Sequence, residues 1–182
     1  LRGLMGYGSF WGDGADRGPD FSTDALHRTV VAMRAFYEAK EKAKTGSDTL
    51  TGYEMDAIGA RIIRELHTNT YDEAAGHIVL NEAQIFAINE LYTHYTRMFT
   101  DATYPDRMDP QNQVSGTDNL RAVTAFFFWG GWVAAANRPG EPYSYTHNWP
   151  YDPDAGNYAT TETFIWTFIS IFALWIGISV VL

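Results

Sequence analysis

The twenty residues from Thr163 to Leu182 read TFIWTFISIFALWIGISVVL and hold no Asp, Glu, Lys, Arg or His. At the helical rise of about 1.5 Å per residue such a run reaches about 30 Å, the thickness of one hydrocarbon core. No other stretch constrains the fold as strongly. It predicts a single transmembrane helix over 161–182, with residues 1–160 folding beside the bilayer as one domain. Aromatic residues crowd the approach: Tyr143, Tyr145, Trp149, Tyr151 and Tyr158, then Phe164 and Trp166 inside the run. That is the placement expected at a headgroup boundary. Between Arg138 and the apolar run there is no Lys or Arg, whereas Glu141, Asp152, Asp154 and Glu162 are acidic. Basic residues mark cytoplasmic flanks, so the domain is expected on the extracytoplasmic side of the cell membrane, in contact with lipid.

The 182-residue chain carries a formal net charge of -9, which argues against a nucleic-acid partner, since phosphates need a basic face. It has no cysteine. Disulfides, thiolate nucleophiles, iron–sulfur ligation and thioether attachment of haem are thereby excluded. Leu1 opens directly into polar, glycine-rich sequence and the chain stops inside an apolar run, so both ends are expected to be cuts through a longer polypeptide.

Residues 3–20 hold six glycines, together with Tyr7, Phe10 and Trp11, and close on Pro19-Asp20. Such glycine density suits a tightly turning loop, and the aromatic rings imply one that is ordered. Ser22, Thr23 and Asp24 are N-cap candidates for a first helix with Leu26, Val30, Met33, Phe36 and Tyr37 at helical spacing, ending near Gly46. A second helix begins at Thr51, where Thr51-x-x-Glu54 forms a capping box, and its stripe is Met55, Ile58, Ile62 and Leu66. A third begins near Asn81, with Gln84 as reciprocal cap and Ile85, Ile88, Leu91, Tyr92, Tyr95 and Phe99 along one side. After a Pro- and Asp-rich loop over 104–115, Thr117 to Asn137 forms a fourth. Its centre, AVTAFFFWGGWVAAA, is apolar around the whole helix, so it is expected to be buried all round or to rest on lipid. Gly130-Gly131 would permit close packing there. No segment alternates with period two, and the fold class is mostly α.

The spacing supplies little chemistry. The histidines His27, His67, His77, His94 and His147 include no i,i+4 pair and no zinc or 2-His-1-carboxylate pattern. His77 and His147 stand out from the rest, yet neither has a visible partner. There is no G-x-S-x-G elbow, and no Gly-Lys-Ser/Thr follows the glycine segment. A catalytic residue is not expected in this chain.

Three blocks carry a family resemblance. The run Gly6-Tyr7-Gly8-Ser9-Phe10-Trp11-Gly12-Asp13-Gly14-Ala15, with Pro19-Asp20 and Leu26-His27-Arg28, resembles the opening of the extracytoplasmic domain of quinol-dependent nitric oxide reductase. Phe126-Phe127-Phe128-Trp129 through Ala135-Ala136-Asn137-Arg138-Pro139-Gly140 looks like the same family, as does Tyr143 to Pro153 with Gly156-Asn157. The blocks occur in family order and span most of the chain.

This resemblance implies a cytochrome-c-like helical domain that has lost its haem. The domain would be tethered ahead of a multi-span catalytic bundle similar to haem–copper oxidases, with 161–182 opening that bundle. The places of the C-x-x-C-H motif found in the related haem-bearing protein fall near Leu4, Tyr7 and Gly8. With no haem here, the resemblance supplies membrane quinol as electron donor, bound outside this chain. It also implies haem b, haem b3 and non-haem iron in the complete enzyme, and a calcium held through backbone carbonyls at Gly14 and Asp16. The family has Tyr where this chain has Asp16. Phe128, Trp129 and Trp132 are expected to fill the volume of the lost haem. The enzyme would reduce nitric oxide to nitrous oxide, in denitrification or detoxification, with its own bundle as the chief partner; a homodimer is also admitted. A second reading of the same acidic domain and single span is a singly anchored extracytoplasmic sensing or binding module.

Overall fold

A computed structural model describes residues 8–11, 18–107 and 114–181. Helix α1 (Phe21–Thr45) is the element on which the others converge, packing against α2 (Gly52–His67), α3 (Glu82–Thr100) and α4 (Thr117–Ala135). A two-residue hairpin, β1 (Tyr71–Asp72) and β2 (His77–Ile78), joins α2 to α3 with Tyr71 opposite Ile78. It is too short to show alternation in the sequence. A strap over 136–160, containing a short 3-10 turn (Pro153–Ala155), leads to α5 (Thr161–Val181).

The helix starts are set by side chains. Thr51–Glu54 and Asn81–Gln84 both form complete capping boxes, as their spacing predicts. The cap of α1 lies upstream of the three expected candidates. Asp20 is the N-cap, accepting from Thr23 N at 2.9 Å, while Asp24 sits in the first turn. Gly46, at φ +68, closes α1 in the left-handed region.

Two adjoining hydrophobic clusters make the core. One joins Leu26, Val30, Met33 and Tyr37 of α1 to Ile58, Ile62 and Leu66 of α2. The other joins Phe21 and Ala25 to Leu91, Tyr95, Met98 and Phe99 of α3 and Phe127 and Phe128 of α4. Each such large apolar side chain contributes about 1.5–3 kcal/mol on full burial. The α3 face is rotated from the expected stripe. Ala83 and Ala87 are buried while Ile85 is half exposed, because small residues let α3 approach the other helices. Met55 likewise lies at the rim of its stripe.

Helix α4 is not enclosed all round. Phe127, Phe128, Trp132 and the two glycines face inward, whereas Phe126 and Trp129 lie on an open side. Gly131 meets α1 backbone to backbone: a methyl there would lie 3.0 Å from Leu26 N and 3.2 Å from Leu26 Cα. The pair Gly130-Gly131 therefore does what its composition implied.

The strap is fixed to the helices by its polar groups. Asn137 N donates to His67 O, and His67 Nε2 lies 3.0 Å from Ala155 O. The buried Asn157 donates through Nδ2 to Ala134 O at 2.9 Å and to Pro150 O at 3.2 Å. The strap thus holds α5 at a set point on the domain. Among the described residues α5 is the one helix long and apolar enough to cross a membrane, and none of its side chains is buried.

Candidate functional site

The glycine-rich loop springs from a rigid base. Ser9 N donates to Pro19 O at 3.1 Å and Phe21 N to Ser9 O at 2.8 Å, closing the two arms into a bridge. Ser9 Oγ donates to Asp20 Oδ2, Trp11 N to Ser22 Oγ at 2.8 Å, and Trp11 Nε1 to Gly130 O at 3.2 Å. One polar cluster thereby ties the loop to the first turn of α1 and to α4. Gly14 and Asp16, where the resemblance places calcium, lie outside the described residues.

The base is filled by rings. Phe10 packs on Phe21, Phe126 and Phe127, and Phe21 stacks on Phe127. Outside this plug, Trp129 stacks with Phe126 and meets Trp11, leaving a partly open aromatic surface beside the loop. The expectation that Phe128, Trp129 and Trp132 occupy a vanished haem volume changes accordingly. Phe128 and Trp132 are buried, but Trp129 lies on the open side, and the rings packed on Phe10 of the loop are Phe21, Phe126 and Phe127.

A c-type haem does not fit these residues. Gly8, near which the resemblance places the axial histidine, has no room for a side chain, because a methyl there would overlap the Phe21 ring, and Leu4 and Tyr7, the other two places, lie outside the described residues. The thioether cysteines are absent as well.

Behind the plug lies a partly buried polar network that the spacing did not reveal. Asp24 accepts from Tyr95 Oη at 2.8 Å and from Arg28 Nε at 2.8 Å. His94, itself buried, pairs through Nδ1 with Tyr104 Oη at 2.7 Å. Its Nε2 stands 3.5 Å from Asp24 Oδ2, too long for a good hydrogen bond. Burial pushes the Asp24 carboxyl up. His94, the Arg28 charge and the Tyr95 hydroxyl outweigh it and hold the group below the usual carboxylate range. The Tyr95 hydroxyl is pushed well above its usual value by burial and by the Asp24 charge. Asp24, Arg28, His94 and Tyr104 line one end of a groove of about 610 Å³ between α1 and α3. Arg28 and Arg97 are both already paired there, Arg28 with Asp24 and Asp106, Arg97 with Asp101. The network therefore works as an internal brace between α1 and α3.

The histidines divide by burial. His77 is exposed on β2. His147 does have partners: it stacks on Tyr143 with centroids 4.7 Å apart, and its Nδ1 lies 3.6 Å from Glu162 at the start of α5. No spacing rule links residues 147 and 162, so only the folded strap shows the pair.

The family model for the cytochrome c-like domain of the nitric oxide reductase protein NorB matches residues 1–151. The chain belongs to that family. The match takes in the loop base, α1 to α4 and most of the strap, and ends ten residues ahead of α5. Comparison with curated proteins gives no match. A NorB domain is part of an oxidoreductase, nitric oxide reductase, and the mostly helical cytochrome-c-like fold agrees with that membership.

Proposed function

We propose that this chain is the haem-free, non-catalytic domain of a membrane-bound, quinol-dependent nitric oxide reductase. Residues 1–160 form the extracytoplasmic cap, and 161–182 open the catalytic bundle. The observation that carries this reading is the packing at Gly8. In a cytochrome-c-like family, the position nearest the axial ligand is closed by Phe21, and the chain has no cysteine. A domain without a c-type haem does not itself relay electrons from a soluble haem protein, and in this reading the donor reaches the bundle through lipid. Quinol is the donor of that kind.

In this reading the domain serves by shape. The ring plug and the hydrogen-bonded base fix the two described arms of the loop, and the resemblance places at Gly14 and Asp16 backbone carbonyls that would offer hard oxygen ligands to calcium. The open pair Phe126 and Trp129 beside the loop is apolar surface for the bundle to cover. Haem b, haem b3 and non-haem iron belong to the remainder of the enzyme and carry the reduction of nitric oxide to nitrous oxide. The fixed strap sets where α5 enters the membrane.

The test is an electron-donor assay on the complete detergent-solubilised reductase. Turnover of nitric oxide with a reduced quinol analogue, and none with reduced cytochrome c, is the expected result. Turnover with reduced cytochrome c alone would overturn the quinol assignment.

A further inference from the structure

Away from the loop, metal-ligating side chains converge at the junction of α1 with the strap. His27, Asp152 and Asp154 each offer one ligand atom, and these atoms lie within 4.8 Å of one another. The two aspartates are oriented by other groups. Asp152 has a side chain only 6% exposed, and its Oδ1 accepts from Asp154 N at 3.0 Å and Ala155 N at 3.2 Å. That leaves Oδ2 pointing to His27 Nδ1, 3.2 Å away. Asp154 is held through Oδ1 by Arg34 Nη2 at 3.0 Å. Carboxylates that ligate metals are usually fixed by such outer partners.

We propose that His27, Asp152 and Asp154 form a site for a first-row divalent ion of the zinc class, with water completing the coordination. Donors around a tetrahedral ion with bonds near 2.1 Å stand about 3.4 Å apart, so the cluster is near the required size. One imidazole with two carboxylates suits zinc or its neighbours. Calcium and magnesium would ask for six or more oxygens. His27 and Asp154 are half exposed, which gives the ion a path in and lets both side chains adjust. The plainer account of the same atoms is two separate ion pairs, His27 with Asp152 and Arg34 with Asp154, and metal binding parts the two accounts. The consequence of a bound ion is mechanical: it would staple α1 to the segment that delivers α5. The proposal is independent of the reductase reading.

The experiment titrates the full chain, in mild detergent and without a polyhistidine tag, with Co²⁺ and then Zn²⁺. One equivalent of cobalt with visible d–d absorption, displaced by zinc, is expected. His27→Gln and Asp154→Asn should each weaken cobalt binding by about tenfold or more, since loss of a ligand costs at least as much as loss of an outer partner. Zinc should raise the thermal midpoint of the wild-type chain and leave that of His27→Gln unmoved. Asp152 is spared because it also caps the 3-10 turn, and far-UV circular dichroism checks that both variants remain folded. Failure to bind cobalt, or equal affinity in His27→Gln, overturns the site.

Discussion

Phe21 and Phe127 lie ring on ring, with centroids 4.1 Å apart and planes 6° from parallel, and the Phe21 ring lies directly against Gly8. Tyr95 meets Phe127 edge-on at 4.9 Å, and Phe10 closes the other side at 5.7 Å. The loop base, α1, α3 and α4 thus share a single aromatic plug. Such ring pairs contribute about 0.5–1.5 kcal/mol beyond their area burial. The same rings that close the core also hold the two described arms of the glycine-rich loop.

Phe127→Ala should therefore destabilise the domain by about 3–5 kcal/mol, the range for emptying a buried aromatic site. The measurement is the denaturant midpoint of the detergent-solubilised chain, followed by near-UV signal. A loss below about 1 kcal/mol would mean that the ring is not packed as described.

Much of this fold is legible in the sequence because its signals are local. Thr51–Glu54 and Asn81–Gln84 announce their helices through contacts three residues apart, and the apolar run over 163–182 announces itself by composition alone. Asp20 escapes such a reading because Ser22, Thr23 and Asp24 offer equally good caps, and only the bridge to Ser9 selects among them. The Asp24–Tyr95 and His27–Asp152 contacts join residues 71 and 125 positions apart, so no spacing rule reaches them. Trp129 reads as core because α4 is apolar all round, and which side stays open is decided by α1 and α3. The expected metal-loop residues Gly14 and Asp16 fall outside the described part of the chain, so their place in the site rests on the resemblance.

The Asp24 brace should give the domain an acid-sensitive term. A carboxyl whose folded pKa is depressed adds stability at pH above its unfolded value, about 3.9. That stability is lost as pH falls through the folded pKa. Tyr95→Phe removes one donor to Asp24 while keeping the ring in the plug. It should cost about 1 kcal/mol near pH 7. The difference from wild type should then shrink as the pH is lowered, since a protonated Asp24 no longer depends on that donor. Urea unfolding of both proteins at a series of pH values measures it. A difference that stays constant down to strongly acidic pH would show that the hydroxyl does not stabilise the charged form.

The span itself is testable at its midpoint. Ile171 lies at the centre of α5, with no charged residue for more than two turns on either side and no side chain of the helix buried against the domain. An arginine at the centre of a membrane helix costs about 2.5–3.5 kcal/mol on insertion scales. Near a helix end the same side chain snorkels to the interface at little cost. Ile171→Arg should accordingly shift the chain from the membrane to the carbonate-extractable fraction, while Thr163→Arg, at the boundary, should leave it membrane-bound. The strap makes the comparison clean, because its bonds to α2 and α4 do not involve either position. Equal retention of both variants would mean that α5 lies along the bilayer surface, where a central arginine can reach water.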